Sequence, residues 1–199
     1  MLNLPQSTEL RRPLPKAQIY KKFELKSSQR DAFDADVAKM EIVNAILPTT
    51  LAAVAEGNEV KGIFVVDVEL KSRHYEPKNI ALIAKLIPQR IVFVLRYDTR
   101  AQLAVYHTQL FTTPWISLDE ATITLAGLNL DSVWGNIVSS IGSFEVETEN
   151  TLEEQIKVNE QQAKLNRQIE TLTRQMNAAK QPRRKRELFD QIKKLKGGI

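Results

Sequence analysis

The apolar residues in the last quarter of the chain are spaced like the buried stripe of a coiled coil. From residue 165 onward they alternate steps of four and three, and one more lies a heptad earlier. A stripe this narrow cannot be buried by its own helix, so we expect it to pack against a second helix, another copy of the chain or a different protein. We call these residues the seam and predict that they bind a partner: Val158, Leu165, Ile169, Leu172 and Met176.

A second apolar stripe follows the first. Pro182 interrupts the helix predicted over 151–180 and is suited to the first turn of another helix over 183–196. The second stripe consists of Leu188, Ile192 and Leu195. Two such stripes joined by a short turn predict an antiparallel coiled-coil hairpin over 150–196. We call the four basic residues at this turn the basic tip: Arg183, Arg184, Lys185 and Arg186.

The preceding residues alternate between helical and strand-like patterns. Residues 1–15 contain three prolines and are predicted to be a flexible lead-in, and residues 16–146 are predicted to form one globular domain. The predicted helices of this domain cover 29–46, 77–86 and 131–141, and the predicted strands cover 63–71, 91–97, 102–110 and a short segment near 121–125. This order predicts an α+β fold in which helices pack on a small mixed sheet, with a ferredoxin-like arrangement as one outcome.

The charge of the chain is concentrated at its end. Residues 180–199 contain eight basic and two acidic side chains, a net charge of +6, whereas the whole chain carries +4 and the remainder therefore −2. Any attraction of the isolated chain for nucleic acid should arise from the basic tip. The tip has no interleaved aromatic residues, so a solvated turn remains an equal interpretation.

Composition excludes several classes of protein. The 199-residue chain has no cysteine, which excludes a disulfide scaffold, a thiol nucleophile and cysteine-ligated metal. Its longest apolar runs have the length of strands, and its first residues lack the apolar core of a signal peptide. We expect a cytoplasmic protein without a membrane segment.

One strand carries a pattern found in metal-dependent nucleases. Asp67, Glu69 and Lys71 alternate on one face, and a Glu-x-Lys pair beside an aspartate can hold a divalent metal and activate water. The aspartate of such sites usually lies on a neighbouring strand, however, and the upstream aspartates here fall on a predicted helix. Alternating charges on the outer face of a half-buried strand are the commoner meaning. We assign no catalytic residue or cofactor, with Mg²⁺ needed only by the nuclease alternative.

Other residues with chemical potential are assigned to packing and turns. His74 and His107 show no ligand or triad spacing, and the glycines form no phosphate-binding loop. Trp115 and Trp134 could stack on bases, but each lies beside apolar residues and is predicted to pack in the domain.

Several runs together resemble one protein family. They are LPKAQIYKKFELKSSQRDAFDADVAKMEIV at 14–43, VKGIFVVDVELKSR at 60–73, IALIAKLIPQRIVFVLRY at 80–97, LAGLNLDSVWGNIVSSI at 125–141 and QPRRKRELFDQIKKLK at 181–196. The chain thus resembles, over residues 14–196, the bacterial and archaeal family catalogued as domain-of-unknown-function family 4391. The resemblance implies a setting near DNA methyltransferases and superfamily-two helicases in defence-like gene clusters, and it supplies no active site.

Three functional hypotheses follow. The leading one is a non-catalytic accessory subunit of a restriction-modification-like, anti-phage complex, which docks a helicase or methyltransferase and contacts DNA or RNA through the basic tip. The first alternative is a metal-dependent nuclease that uses Asp67, Glu69 and Lys71. The second is a homo-oligomeric structural protein in which the seam pairs with its own copy.

Overall fold

The computed structural model describes residues 2–147 and 150–197 of the chain. The chain divides into two compact units, Met1–Glu145 and Val146–Ile199. The first unit combines a mixed sheet with helices, and the second consists of two helices. Within the described residues, no helix is both long and apolar enough to cross a membrane.

The first unit contains seven strands and four α-helices among its described residues. In chain order they are β1 (Glu9–Pro13), α1 (Lys16–Lys22), α2 (Ser27–Asp36), β2 (Val37–Ile46), β3 (Ile63–Leu70), α3 (Pro77–Ala84), β4 (Arg90–Tyr97), β5 (Arg100–Tyr106), β6 (Leu110–Thr112), β7 (Ile116–Ser117) and α4 (Leu130–Gly142). Short 3-10 helices lie at Gln6–Thr8 and Leu118–Glu120. The second unit contains α5 (Leu152–Ala178) and α6 (Pro182–Lys196).

The strands form one sheet in the order β1-β2-β3-β4-β5-β6, and β7 also pairs with β5. Strands β3 and β4 are parallel and are connected through α3, whereas the other pairs are antiparallel. The predicted mixed sheet with packed helices is therefore confirmed. The ferredoxin-like outcome is not, because the parallel strands here are adjacent, while a split βαβ unit places another strand between them.

Both faces of the central strands are buried. On one face, Val66 and Phe93 share a core with residues of α1, α2 and α3, including Ile19, Phe33 and Ile80. The alternate strand positions point to the opposite face by the two-residue period and are also buried; they include Val65, Val92 and Val94. Helix α4 contacts β5 and β6 and contributes another buried group, which includes Val133, Trp134, Ile137 and Val138.

The helix predicted over 29–46 is wrong in its second half. Helix α2 ends at Asp36, and β2 begins at Val37. The register of β2 against β3 shifts between Val37 and Lys39 and again between Ile42 and Asn44. A β-bulge adds a residue to one strand, so buried positions fall three apart instead of two. These irregularities gave the buried residues Val37, Met40 and Asn44 a helical spacing.

Two other segments differ from the sequence prediction. The predicted lead-in contains β1, an antiparallel edge strand beside β2. This strand was not predicted from the sequence because Pro13 argues against a strand. An edge strand nevertheless tolerates a residue that lacks the backbone N–H. The strand predicted over 102–110 divides into β5 and β6 at a turn. The one predicted near 121–125 is reduced to an isolated bridge between Thr122 and Leu2.

A carboxamide and a carboxylate form the hydrogen bonds at the start of helix α4. The Asn129 side chain accepts a hydrogen bond from the Ser132 backbone N–H at 2.9 Å and so caps the helix. The Asp131 carboxylate accepts the backbone N–H groups of Asn58, Glu59 and Val60. After the helix, Ser143 adopts the left-handed conformation, with φ of 55°.

Candidate nucleic-acid interface

Helix α5 begins at a capping box. The Thr151 side chain accepts a hydrogen bond from the Glu154 backbone N–H, and the Glu154 carboxylate accepts one from the Thr151 backbone N–H at 2.8 Å. These contacts lower the pKa of Glu154, with the Thr151 backbone N–H as the main cause. A capping box matters here because α5 is polar over most of its surface and fully buries only Gln155 and Ile156.

The two helices of the second unit pack against each other. Helix α6 starts with Pro182 in its first turn, as the sequence predicted, and α6 contacts α5. Leu188 and Ile192 of α6 are buried, with Leu188 only 2 % exposed. On α5, four seam residues are half-buried: Leu165, Ile169, Leu172 and Met176. The fifth, Val158, remains 48 % exposed.

The basic tip occupies the first turn of α6. Arg183, Arg184, Lys185 and Arg186 are all exposed, and no acidic residue lies in this turn. Glu187, one residue later, pairs with Arg183 at 3.4 Å and with Arg184 at 3.3 Å. One carboxylate thus faces two arginines. Because the N-terminal end of a helix already carries partial positive charge, four cations here are unfavourable for the helix but raise the local positive potential.

An exposed aromatic residue lies one turn beyond these cations. Phe189 is 55 % exposed, although it directly follows the buried Leu188. It helps to line an open pocket of about 500 Å³, whose lining residues are Met176, Asn177, Pro182, Lys185, Arg186 and Phe189. Sequence reasoning missed this residue because it searched for aromatics within the basic run. The spacing of four from Lys185 and three from Arg186, which places all three on one helical face, was the available signal.

The structure gives Asp67 a different environment from that of a metal ligand. Asp67 lies on β3, and Arg96 lies on the parallel neighbour β4. The Arg96 guanidinium donates two hydrogen bonds to the Asp67 carboxylate, from Nε to Oδ1 at 2.5 Å and from Nη2 to Oδ2 at 2.7 Å. This bidentate pair raises the pKa of Arg96. Both Asp67 oxygens are therefore engaged by a cation.

The other two residues of the nuclease pattern lie near the end of β3 and just after it. Glu69 is exposed on β3, where Lys39 and Arg96 lie opposite it in register. Lys71 follows the end of β3, and its backbone N–H donates to the Asp36 carbonyl at 2.8 Å. In the described part of the chain, no group of three or more His, Asp or Glu side chains is arranged to hold a metal ion.

The upstream aspartates stabilise the fold around α2. Asp34 accepts hydrogen bonds from Lys16 and from the Tyr20 hydroxyl, each at 2.6 Å. The Lys16 contact is the main cause that lowers the pKa of Asp34. Asp36 accepts hydrogen bonds from the Glu76 backbone N–H and the Asn79 side chain. Both aspartates lie on a helix, as the sequence predicted.

The tryptophans and histidines belong to the packed domain. Trp134 is buried, and its indole N–H donates to His107 Nδ1 at 3.3 Å. Trp115 packs against the core beneath the guanidinium of Arg73. The predicted packing of both tryptophans is confirmed. His74 lies after β3, where its carbonyl accepts a hydrogen bond from the Ser72 hydroxyl.

A second cavity lies within the first unit. It measures about 510 Å³, and apolar residues such as Leu103, Ile123 and Ile137 contribute to its lining. Glu120 adds a carboxylate that accepts a hydrogen bond from the Ser117 backbone N–H at 3.3 Å. Its walls are thus mainly apolar and hydroxyl-bearing, without an acid and base set against each other among the described residues.

Comparison with known proteins identifies the family but adds no function. Searches of curated proteins and of solved structures each found no match. The family described as "Domain of unknown function (DUF4391)" matches residues 2–198, essentially the whole chain. The match extends from the segment before β1 through the end of α6. The chain therefore belongs to this domain-of-unknown-function family.

Proposed function

We propose that this protein is a non-catalytic, cytoplasmic accessory subunit of a DNA-acting defence complex of the restriction-modification type. It docks a helicase or methyltransferase, and it contacts nucleic acid through the basic tip. The observation that carries the proposal is the exposure of all four tip cations on a single turn of α6. The anti-phage setting rests on the resemblance of the sequence runs to their family.

Electrostatics support nucleic acid as the ligand of the tip. The last twenty residues carry a net charge of +6, while the rest of the chain carries a net charge of −2. Arginine and lysine bind phosphate by releasing its condensed counterions, which gives an affinity that falls steeply with salt. A cluster confined to one turn matches a few successive phosphates and carries no sequence information of its own.

The lengths of the two helices support a surface for a protein partner. Helix α5 has 27 residues and α6 has 15, which correspond to about 40 Å and about 22 Å. Helix α6 can therefore cover only about half of α5. The half that starts at Leu152 carries Val158, the most exposed seam residue, and we place the docking surface for the larger enzyme there.

The test of the tip is the salt dependence of binding. Arg183, Arg184, Lys185 and Arg186 are changed together to Ala, and the affinity for labelled DNA and RNA oligonucleotides is measured by fluorescence anisotropy over a range of salt concentrations. Each lost phosphate contact should reduce the magnitude of the negative slope of log K against log salt by about 0.7 to 0.9. We expect affinity to fall at least about 10-fold at low salt, with a smaller slope.

The matched control removes the same charge elsewhere in the second unit. Lys164, Lys193, Lys194 and Lys196 are exposed and lie away from the first turn of α6, and they are changed together to Ala. This variant should lose much less affinity than the tip variant. Equal losses would reduce the tip to a contributor of general charge, and an unchanged slope in the tip variant would contradict the proposal.

A further inference from the structure

We infer that the pocket beside the basic tip stacks an unpaired nucleobase on Phe189, so that the ligand of the tip is single-stranded nucleic acid. This inference rests on the proposed function, because it assumes that the tip cations bind phosphate. It adds the strand state of the ligand and one residue that the charge pattern alone did not indicate.

The exposure of Phe189 is the first observation. A phenylalanine that leaves 55 % of its surface in water gains little from folding, while the adjacent Leu188 is buried. The ring therefore contributes more to a surface than to the core of the hairpin. A single exposed aromatic residue is common on protein surfaces, so the inference depends on the residues that surround Phe189.

The chemistry of those neighbours matches a nucleotide. Lys185 and Arg186 line the same pocket as Phe189 and supply two cations for phosphate. Met176 and Asn177 approach from the end of α5, and they add a soft apolar contact and an amide that can donate to or accept from a base edge. An aromatic platform beside cations that track the backbone is the arrangement by which proteins bind single strands.

The strand state follows from the accessibility of the bases. In a duplex each base is already stacked and paired, so a protein side chain reaches base edges, sugars and phosphates but finds no free base face to stack on. In a single strand a base can turn onto the ring without loss of a base pair. The cations should therefore bind both forms, while Phe189 should favour the single strand.

The experiment compares three probes with the full-length protein. They are a labelled thymidine oligonucleotide, an abasic oligonucleotide of the same length, and a duplex of that length. The variants are Phe189→Ala, Phe189→Trp and, as the matched control, Val146→Ala, which truncates another exposed apolar side chain of the second unit. Thermal melting followed by circular dichroism verifies that each variant keeps its helices.

Phe189→Ala should weaken binding of the thymidine oligonucleotide by about 5- to 150-fold, the range for loss of one stacked base. The same variant should bind the abasic strand and the duplex as the wild type does, with an unchanged salt slope. Phe189→Trp should retain the preference for the thymidine strand, and Val146→Ala should match the wild type on all probes.

Several results would overturn the inference. If Phe189→Ala binds the thymidine strand normally while the tip variant does not, stacking is absent and the proposed function survives. If the wild type binds none of the probes, both proposals fail together. Equal losses on all three probes would make Phe189 a structural residue. A dimer that Phe189→Ala converts to a monomer would assign the pocket to a second copy.

Discussion

Arg96 on β4 pairs with the Asp67 carboxylate on the neighbouring strand β3. It lies opposite Glu69 in the parallel register and reaches along the strand to Asp67 with two hydrogen bonds. The side chains of Asp67 and Arg96 are 18 % and 27 % exposed, so water screens their attraction only in part. Because each charged group has lost much of its hydration, its charged form in the folded protein is stabilised mainly by the other.

Removal of the arginine should therefore destabilise the first unit. Arg96→Ala leaves the Asp67 carboxylate without its bidentate donor, and we expect a loss of about 1 to 3 kcal/mol in the free energy of unfolding. Denaturant titration followed by tryptophan fluorescence measures it, because Trp115 and Trp134 both lie in this unit. Lys78→Ala is the control. It breaks an exposed ion pair with Glu76 and should cost less than about 1 kcal/mol. Equal losses would contradict this role of Arg96.

Asp131 should make part of the stability depend on pH. Its pKa is lowered, chiefly by the Val60 backbone N–H and further by those of Asn58 and Glu59. A carboxylate whose pKa is depressed in the folded state stabilises the protein above its unfolded pKa, near 4, and loses this effect as the pH falls through the folded value.

The variant Asp131→Asn tests this linkage. It should be less stable than the wild type at neutral pH, because an uncharged amide accepts fewer of the three hydrogen bonds and places its own N–H group among donors. The difference in unfolding free energy should shrink below about pH 4. Denaturant titrations of both proteins at several pH values measure it, and a difference that stays constant with pH would contradict the account.

At the scale of elements, the sequence predicted those that follow one regular period. Helix α4 and the hairpin helices were predicted within a few residues, because a regular helical spacing of apolar residues and Pro182 are strong local signals. Strand β2 was mistaken for helix because its bulges alter the spacing of buried residues. Such irregularities depend on the neighbouring strand, so a local pattern could not reveal them.

The seam should hold the hairpin together within one chain. Leu165→Asp combined with Ile169→Asp places two charges where α5 is half-buried, and we expect the double variant to lose helicity in circular dichroism. Gln161→Asp with Gln168→Asp, at exposed positions of the same helix, is the matched control and should retain its helices. Sedimentation should show a monomer in every case. A wild-type dimer that only the seam variant dissociates would favour the self-associating alternative.

Only part of the candidate site could be predicted from the sequence. The four tip cations were visible as a run in the sequence, and the helix that follows Pro182 exposes them all. Phe189 was visible only as part of an apolar stripe, and its exposure depends on which face of α6 packs. The pairing of Arg96 with Asp67 required the register of two parallel strands, which a single strand pattern does not contain.

At the scale of the whole molecule, the net positive charge is confined to the second unit. The first unit holds the mixed sheet, and in it cations or N–H groups bind the carboxylates of Asp34, Asp36, Asp67 and Asp131. The second unit holds the hairpin, the basic tip and the whole net charge of +4, because it has 12 basic and 8 acidic residues while the first unit has 16 of each. This division is consistent with a subunit that positions nucleic acid and a partner enzyme, while the partner performs the reaction.

Affinity purification of the tagged protein from its native host tests the central claim most directly. It is carried out at moderate salt, with and without nuclease treatment, and mass spectrometry quantifies the recovered proteins. The account predicts stoichiometric recovery of a helicase or methyltransferase that resists nuclease, with no DNA cleavage by the purified chain alone. Recovery of the chain by itself, with Mg²⁺-dependent cleavage that Glu69→Ala and Lys71→Ala abolish, would contradict the account and establish the nuclease alternative.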